Sequence, residues 1–296
     1  MTDTAAGTSG TAGSAGTAGS PTPSPAEQSP PFPRRAIVTG ADSGIGRATA
    51  VALAGPGRHV GITWHTDEQG AQETAEEVRS HGRRAVVAQL DTSRLAQAGE
   101  VVDQLADELG GVEVFVANSG KGTSTPFLDL PLDEWREVVA TNLDGTFVTV
   151  QAAARRMVSA GRGGRLIAVT SVHEHQPRVG NNPYDAAKHG IGGLMKTVAL
   201  ELAQHQITAN CVAPGEIATP MTGQTDADPR TEDRPGVPLG RPGDAREVAA
   251  VIAFLASPAA SYVTGVSWAV DGGMLQMGPQ AGSHITSDEW RAAAEE

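Results

Sequence analysis

Tyr184 and Lys188 stand four positions apart in Tyr184-Asp185-Ala186-Ala187-Lys188. Residues i and i+4 share one face of a helix, so a helix here puts the phenol and the ammonium in one site. A free tyrosine has a pKa of about 10, too high for a good base at neutral pH. A lysine charge about 4–5 Å away is worth roughly 3–4 kcal/mol at an effective dielectric of about 20. That attraction is expected to lower the phenol by about two units, with any oxidised nicotinamide adding to it. The pair would then suit proton exchange with an alcohol. Lysine is scarce here, with only Lys121, Lys188 and Lys196 against 19 arginines. Ser171 lies thirteen residues before Tyr184, at the end of an apolar run, where a hydroxyl can hold a substrate oxygen toward the phenol. Asn142 falls inside a long helical stretch, where an amide is a poor helix former and points to a polar or water-binding task. Taken alone, a Tyr-x-x-x-Lys is an ordinary surface pair.

A second group supplies the context. Thr39-Gly40-Ala41-Asp42-Ser43-Gly44-Ile45-Gly46 joins an apolar run to a helical stretch. Its glycines let the backbone turn sharply and approach a pyrophosphate, and a helix N-terminus then offers free N–H groups and a positive dipole end. A glycine triplet alone is an ordinary turn. Placed between a strand and a helix at the start of a domain, it has the setting that dinucleotide binding requires.

Those residues need a frame. Short apolar runs at Ala36–Thr39, His59–Thr63, Ala85–Leu90, Val112–Val116, Arg165–Thr170, Ile207–Val212 and Ser267–Val270 read as strands. Between them, Gly46–Ala54, Glu68–His81, Leu95–Leu109, Asp133–Ala160, Tyr184–Gln204 and Asp244–Leu255 read as helices. Alternation of this kind implies a parallel sheet covered on both faces, and near-continuous apolar strands fit that burial. The expected fold is a doubly wound, Rossmann-type α/β domain of about seven strands over 34–273. Residues 1–33, almost all Gly, Ala, Ser, Thr and Pro, are expected to be a disordered tail. Thr222–Arg241, rich in Pro, Gly and Asp, breaks the rhythm where ligands bind in this fold; a mobile lid is expected over about 219–241. A C-terminal extension follows over 274–296, with a helix start at Thr286-Ser287-Asp288-Glu289.

In these motifs and their order the chain resembles the short-chain dehydrogenase/reductase family. The matching residues are the loop from Thr39 to Gly46, Asp91-Thr92-Ser93, Ala117-Asn118-Ser119-Gly120, Asn142, Ser171, Tyr184, Lys188, Pro214-Gly215 with Thr219, and Asp271-Gly272-Gly273. The family's usual Asn-Asn-Ala-Gly reads Ala117-Asn118-Ser119-Gly120 here. The resemblance implies a catalytic tetrad of Asn142, Ser171, Tyr184 and Lys188, with Asn142 holding a water and Lys188 also gripping the nicotinamide ribose. It implies cofactor contacts from Gly40, Ser43, Gly44, Ile45 and Gly46, from Trp64, His65 and Thr66, and from Asp91 and Thr92. Further contacts would come from Asn118, Ser119 and Gly120, and from Pro214, Gly215, Ile217 and Thr219, with Thr219 on the carboxamide. It also implies a homotetramer or homodimer built on the helices that carry Asn142 and Tyr184. Ser171-Val172-His173-Glu174, Ala260 to Gly265, Asp271-Gly272-Gly273-Met274 and Gln280-Ala281-Gly282 are similar to bacterial glucose 1-dehydrogenases, which would set His173 against a polyol. A broader carbonyl reductase of the 3-oxoacyl reductase type stays equally open.

An acid at the end of the second strand would bind a ribose 2′-OH and repel a 2′-phosphate. Trp64, His65 and Thr66 stand there, and no carboxylate comes before Asp67. NADP(H) is therefore the expected cofactor, with NAD(H) as the second choice. A net charge of −12 argues against a nucleic-acid surface and gives no support for an anionic membrane. No apolar run approaches a membrane span, and no secretory leader is evident, so a cytoplasmic location is expected. Cys211, the one cysteine, sits in an apolar run and reads as a buried structural thiol. His173 and His175 would point to opposite faces of an extended segment, so no metal is expected. The expected partner is a small alcohol or carbonyl compound. A dinucleotide-binding sensor without turnover is the alternative of another class, disfavoured by an intact Ser171, Tyr184 and Lys188.

Overall fold

Successive side chains of a strand face opposite sides of a sheet, and here both sides are apolar. Val38, Ile62, Val116, Ile167 and Val212 enter one core, and Ile37, Phe115, Leu166, Ala209 and Cys211 enter the other. Only helices on both faces can close such a sheet. The computed structural model describes residues 34–223 and 228–280. The tail expected over 1–33, the helix start expected at Thr286, and 224–227 of the expected lid lie outside the described residues.

The main strands are β1 (Arg35–Val38), β2 (His59–Trp64), β3 (Ala85–Gln89), β4 (Val114–Ala117), β5 (Gly164–Val169) and β6 (Ile207–Pro214), with β9 (Ser267–Val270) at the far edge. They pair in the order β3-β2-β1-β4-β5-β6-β9, every pair parallel. The two short strands β7 (Ile217–Ala218) and β8 (Gly243–Asp244) form a separate parallel pair. All seven expected strands are present in the main sheet.

On one face, α1 (Gly44–Ala54), α2 (Glu68–Ser80) and α7 (Ala245–Leu255) bury Leu53, Val78 and Ile252 against the sheet. On the other lie α3 (Leu95–Leu109), α5 (Gly145–Ala160) and α6 (Asn182–Leu202), with Leu105, Met157 and Ile191 inward. The chain moves outward from β1 to β3 and then crosses back to β4. The strand order therefore reverses between β1 and β4, and the crevice beyond their carboxyl ends is where this architecture binds ligands.

The long helix expected over Asp133–Ala160 is not continuous. Helix α4 (Leu132–Val139) runs into a π-helical turn at Ala140–Asp144, and α5 follows. Such a turn holds one extra residue, a defect that recurs at functional sites, and Asn142 sits in it. Its Nδ2 donates to the carbonyls of Val138 (2.8 Å) and Lys121 (2.9 Å), replacing regular helix bonds with contacts to the chain after β4.

Candidate active site

Helix α1 begins without a cap. Ser43 precedes it in extended geometry but makes no side-chain cap hydrogen bond, and the first turn carries no acid. By contrast, Asp67 caps α2, and Asp244 with Glu247 forms a capping box on α7. The N–H groups of α1 thus face the crevice without an internal side-chain partner, as an anion-binding N-terminus requires. Gly40 and Gly44 hold φ of +59° and +51°, conformations that side chains rarely adopt. A Cβ at Gly46 would strike the Gly40 carbonyl and lie 2.7 Å from Asn118 Nδ2.

The loop is clamped from β4. Thr39 Oγ1 accepts the N–H groups of Asn118 (2.9 Å) and Ser119 (3.0 Å), and Asn118 Nδ2 donates to the carbonyls of Thr39 and Gly40. Asn118's amide nitrogen therefore braces the loop rather than reaching outward, and the Ala117 and Ser119 departures leave this clamp intact. From the other side, Thr63 Oγ1 accepts the Gly40 N–H at 3.1 Å. Thr219 packs its methyl against Gly44, where an added Cβ would lie 3.1 Å away. Pro214 and Gly215 close the end of β6, with Gly215 N–H donating to Val270. Ile217 turns its side chain into the core, so only its backbone faces the crevice.

The proton-transfer candidates converge beyond β5. Pro183 starts α6, a favoured residue for a first turn, and places Tyr184 there, with Lys188 one turn on. Lys188 is buried, and its Nζ donates to the Val169 carbonyl at 2.9 Å, tying α6 to the strand end that carries Ser171. The same Nζ lies 5.3 Å from the Tyr184 ring centroid. Asn142, fully buried, accepts the Lys121 N–H on Oδ1 at 3.2 Å. The bare Cα of Gly120 opens between them. A Cβ there would lie 2.8 Å from Asn142 Oδ1 and 3.7 Å from Lys188 Nζ.

His173 joins this cluster. Its ring stands edge-on to Tyr184, with centroids 6.2 Å apart. Its Nδ1 meets the Gln176 carbonyl at 2.9 Å. A carbonyl only accepts, so Nδ1 carries the proton and Nε2 is the free acceptor of the neutral ring. His175 turns elsewhere, to Ser267 Oγ at 3.1 Å. Among the described residues, no group of three or more His, Cys, Asp or Glu side chains is arranged to hold a metal.

The electrostatics reverse one expectation. Burial pushes the Tyr184 phenol up to about 12; the Ser171 hydroxyl pulls it back, and the Asp185 carboxylate pushes it further up. Lys188, whose ammonium lies over the ring and donates to the Val169 carbonyl, is not among the causes of that shift. Burial also brings Lys188 itself down to about 8. Desolvation outweighs pair attraction in the chain alone.

At the other end of the crevice, Trp64 is half-buried against the core, and His65 and Thr66 are exposed. Asp67 accepts the Gly70 N–H at 2.9 Å as the cap of α2. Asp91 accepts both the N–H and the hydroxyl of Ser93, and this keeps its carboxyl below the usual range. Its Oδ2 lies 3.7 Å from His65 and 3.3 Å from Arg94. Thr92 is buried against Gly145, where a Cβ would lie 2.6 Å from its carbonyl. Arg47 is bound to Glu73 and Glu77 of α2.

An uncapped helix behind a positive-φ glycine loop thus shares the crevice with Ser171 beyond β5, Asn142 in the π turn, and Tyr184 and Lys188 on α6. A family model described as Enoyl-(Acyl carrier protein) reductase matches residues 40–275. The chain belongs to the short-chain dehydrogenase/reductase family. It is an oxidoreductase of that family. An uncharacterized oxidoreductase, YohF, of Escherichia coli K12 is 49% identical over 245 residues, covering 83% of this chain and 97% of that one. An L-rhamnose 1-dehydrogenase (NAD(P)(+)) of Azotobacter vinelandii is 39% identical over 244 residues, 81% and 95% of the two chains. Among solved structures, an acetoin dehydrogenase, YohF, of Salmonella typhimurium is 47% identical with a TM-score of 0.79, covering 84% of this chain and 98% of that chain.

Sequence reasoning missed several supports of this dehydrogenase site. Thr39 and Thr63 were legible only as polar residues ending apolar strands. Gln176 holds His173 through its carbonyl, which no side-chain pattern announces. Glu174 is buried beside the site and was read only as part of a motif.

Proposed function

We propose that this enzyme interconverts small hydroxyketones of the acetoin type with their oxidised or reduced partners, using NAD(H) ahead of NADP(H). The observation that carries the reading is His173 beside Tyr184, whose free ring acceptor would take a hydrogen bond from a second hydroxyl of the substrate, as the diol–hydroxyketone step offers. The resemblance to the acetoin dehydrogenase supports it. In oxidation, Ser171 and Tyr184 bind the reacting hydroxyl, and Tyr184 as tyrosinate accepts its proton while the C–H hydride leaves the same carbon. The oxidised nicotinamide would supply the hydride acceptor and a positive charge of the sign needed to lower the phenol from about 12. Lys188 would hold its ribose. Asn142 Oδ1 has one acceptor site left after Lys121, enough to hold a water in the gap at Gly120.

Gly40, Ser43, Gly44, Ile45 and Gly46 would hold the pyrophosphate at the start of α1. Asp91 and Thr92, with the backbone of Asn118, Ser119 and Gly120, would flank the adenosine, and Pro214, Gly215, Ile217 and Thr219 the nicotinamide. The cofactor preference departs from the sequence expectation for an electrostatic reason. Arg47 is committed to two glutamates, while Asp42, Asp67 and Asp91 surround His65, a poor setting for a phosphate dianion. Segment 219–241 would cover the substrate, anchored by Leu239 N–H on the Gly272 carbonyl at 3.1 Å. The enzyme would assemble as a dimer or tetramer through α4, α5 and α6, where Leu132, Phe147 and Leu200 are exposed.

Absorbance at 340 nm with both cofactors, across acetoin, diacetyl, butane-2,3-diol, glucose, rhamnose and a 3-oxoacyl thioester, tests the reading. The C4 compounds should show kcat/KM at least about tenfold above the rest. A sugar or thioester ahead of them would overturn the substrate assignment. Tight cofactor binding without turnover on any substrate would favour the sensor.

A further inference from the structure

Glu174 is a buried carboxylate that the proposed chemistry does not use. It lies in the 3₁₀ turn Val172–Glu174 that follows β5, with its side chain only 4% exposed. Two hydroxyls converge on its Oε2: Thr170 at 2.6 Å and Ser267, on β9, at 2.7 Å. Each has another acceptor or neighbour beyond it. Thr170 Oγ1 is 3.1 Å from the Val212 carbonyl, and Ser267 Oγ is 3.1 Å from His175 Nε2. Two hydroxyl donors thus satisfy one carboxyl oxygen in a dry interior, where an unpaired polar atom is costly.

Its other oxygen leans on α6. Oε1 occupies the place where Gly192 would carry a Cβ, and the carboxyl carbon would lie 2.7 Å from that atom. Gly192 is four residues after Lys188 and so lies on the same helix face, one turn on. The missing side chain at 192 thus lets the Glu174 carboxylate pack against α6 on the face that carries Lys188, one turn along the helix from its Cα. Burial raises the Cys211 thiol of β6; Glu174 raises it further, and Lys188 and Lys196 lower it. Lys188 in turn is raised by Cys211 and by Glu174 against the larger effect of its burial.

We propose that Glu174 is the counter-charge of the site, a positioning residue whose field, brought close by Gly192, keeps Lys188 in its ammonium form. The charged or titratable groups around the pair are Tyr184 and Lys196 on α6, Cys211 on β6 and His175 beside Glu174, with the Asn142 amide in the π turn near Gly120. His175 lies 3.8 Å from Glu174 Oε2 and would weaken its field when protonated. The consequence for turnover rests on the proposed role of Lys188; the electrostatic assignment itself does not.

With three lysines in the chain, lysine labelled with ¹³C and ¹⁵N gives a simple NMR titration of full-length protein without cofactor, assigned with Lys121→Arg and Lys196→Arg. Glu174→Gln should lower the Lys188 midpoint by about one pH unit, the loss of one nearby opposite charge under partial screening. Glu174→Asp keeps the charge and should stay within about 0.3 unit of wild type. Gly192→Ala keeps the carboxylate but forces it away from the helix, so it should lower the midpoint as well. It also decides the matter should Glu174→Gln fail to fold. A folded Glu174→Gln or Gly192→Ala protein with an unmoved midpoint overturns the proposal, as does Glu174→Asp falling as far as Glu174→Gln. Because the midpoint is read without substrate, absence of turnover on every substrate would fail the functional reading and leave this measurement to stand alone.

Discussion

The two ends of the crevice are built differently. At the end proposed for catalysis, buried Lys188 and Asn142 are tied to backbone, at Val169 and at Lys121 and Val138, and half-buried His173 is tied to Gln176. At the adenosine end, His65 and Thr66 are exposed, and the carboxylates serve local turns, Asp67 for α2 and Asp91 for Ser93. Buried polar atoms with fixed partners hold one geometry, because any other arrangement leaves a group unsatisfied. Exposed charges hold no single geometry and act through their sum. On the proposed assignment of the site, chemistry at one end is intolerant of change, while cofactor choice at the other is tunable.

The largest expected effect tests the rigid end. Tyr184→Phe removes one oxygen and leaves the ring contact with His173. It should lower kcat about 10³-fold, within the range for a proton-transfer group, with an unchanged melting temperature and undiminished cofactor binding by fluorescence titration. A variant that keeps more than about a tenth of wild-type turnover would remove Tyr184 from the chemistry.

Asn142→Ala comes next, and it should affect both catalysis and stability. The substitution leaves the Lys121 N–H and carbonyl without their buried partner, a loss of about 1–3 kcal/mol. Loosening the chain after β4 next to Lys188 should also lower kcat/KM by roughly 10², the usual consequence of a misplacement near 1 Å. Chemical denaturation and kinetics on the same sample read both. Loss of activity with full stability would mean that the amide acts on water alone and does not hold the frame.

How much of this was legible beforehand follows the same division. All seven strands of the sheet could be read, because strands buried on both faces must be apolar throughout. The tetrad candidates were legible because residue type and i,i+4 spacing constrain them before any fold is known. The π turn at Asn142 was not, since its cause is a side chain bonding to Lys121, distant in sequence. Nor was the sign of the Tyr184 shift. Spacing reveals the attraction to Lys188, but desolvation depends on what the rest of the fold packs around the phenol. The role of Arg47 was hidden for a similar reason: only the packing of α1 on α2 shows it bound to Glu73 and Glu77.

Lys188 offers a smaller effect with a sign of its own. Lys188→Met keeps the volume and removes a buried charge, so stability should rise at pH 7. The folded pKa, about 8, lies below the ordinary value of 10.5. The unfolded chain therefore binds the extra proton between those values, and wild-type stability rises with pH across that window. Below pH 8 the variant should gain about 1–2 kcal/mol, after allowing for the lost hydrogen bond to Val169. That corresponds to about 4 °C in Tm. By pH 10.5 the advantage should be gone. Scanning calorimetry at pH 7 and pH 10.5 reads it; an equal gain at both would mean that burial of the ammonium costs the fold nothing.

The smallest effect belongs to the tunable end. His65→Arg places a permanent cation where Asp42, Asp67 and Asp91 now dominate. One charge-assisted hydrogen bond to a 2′-phosphate is worth about 1.5–3 kcal/mol. Asp91 Oδ2, 3.7 Å from His65, would compete for the same guanidinium. The net change should be about tenfold in the NADP/NAD ratio of kcat/KM, or roughly 1.4 kcal/mol, with kcat nearly constant because the phosphate is remote from Tyr184. The gain should shrink in 0.5 M salt, where exposed charges are screened over about 4 Å. A wild-type enzyme that already prefers NADP, or a variant whose ratio does not move, would show that cofactor choice is fixed by shape rather than by charge, and would erase the contrast between the two ends.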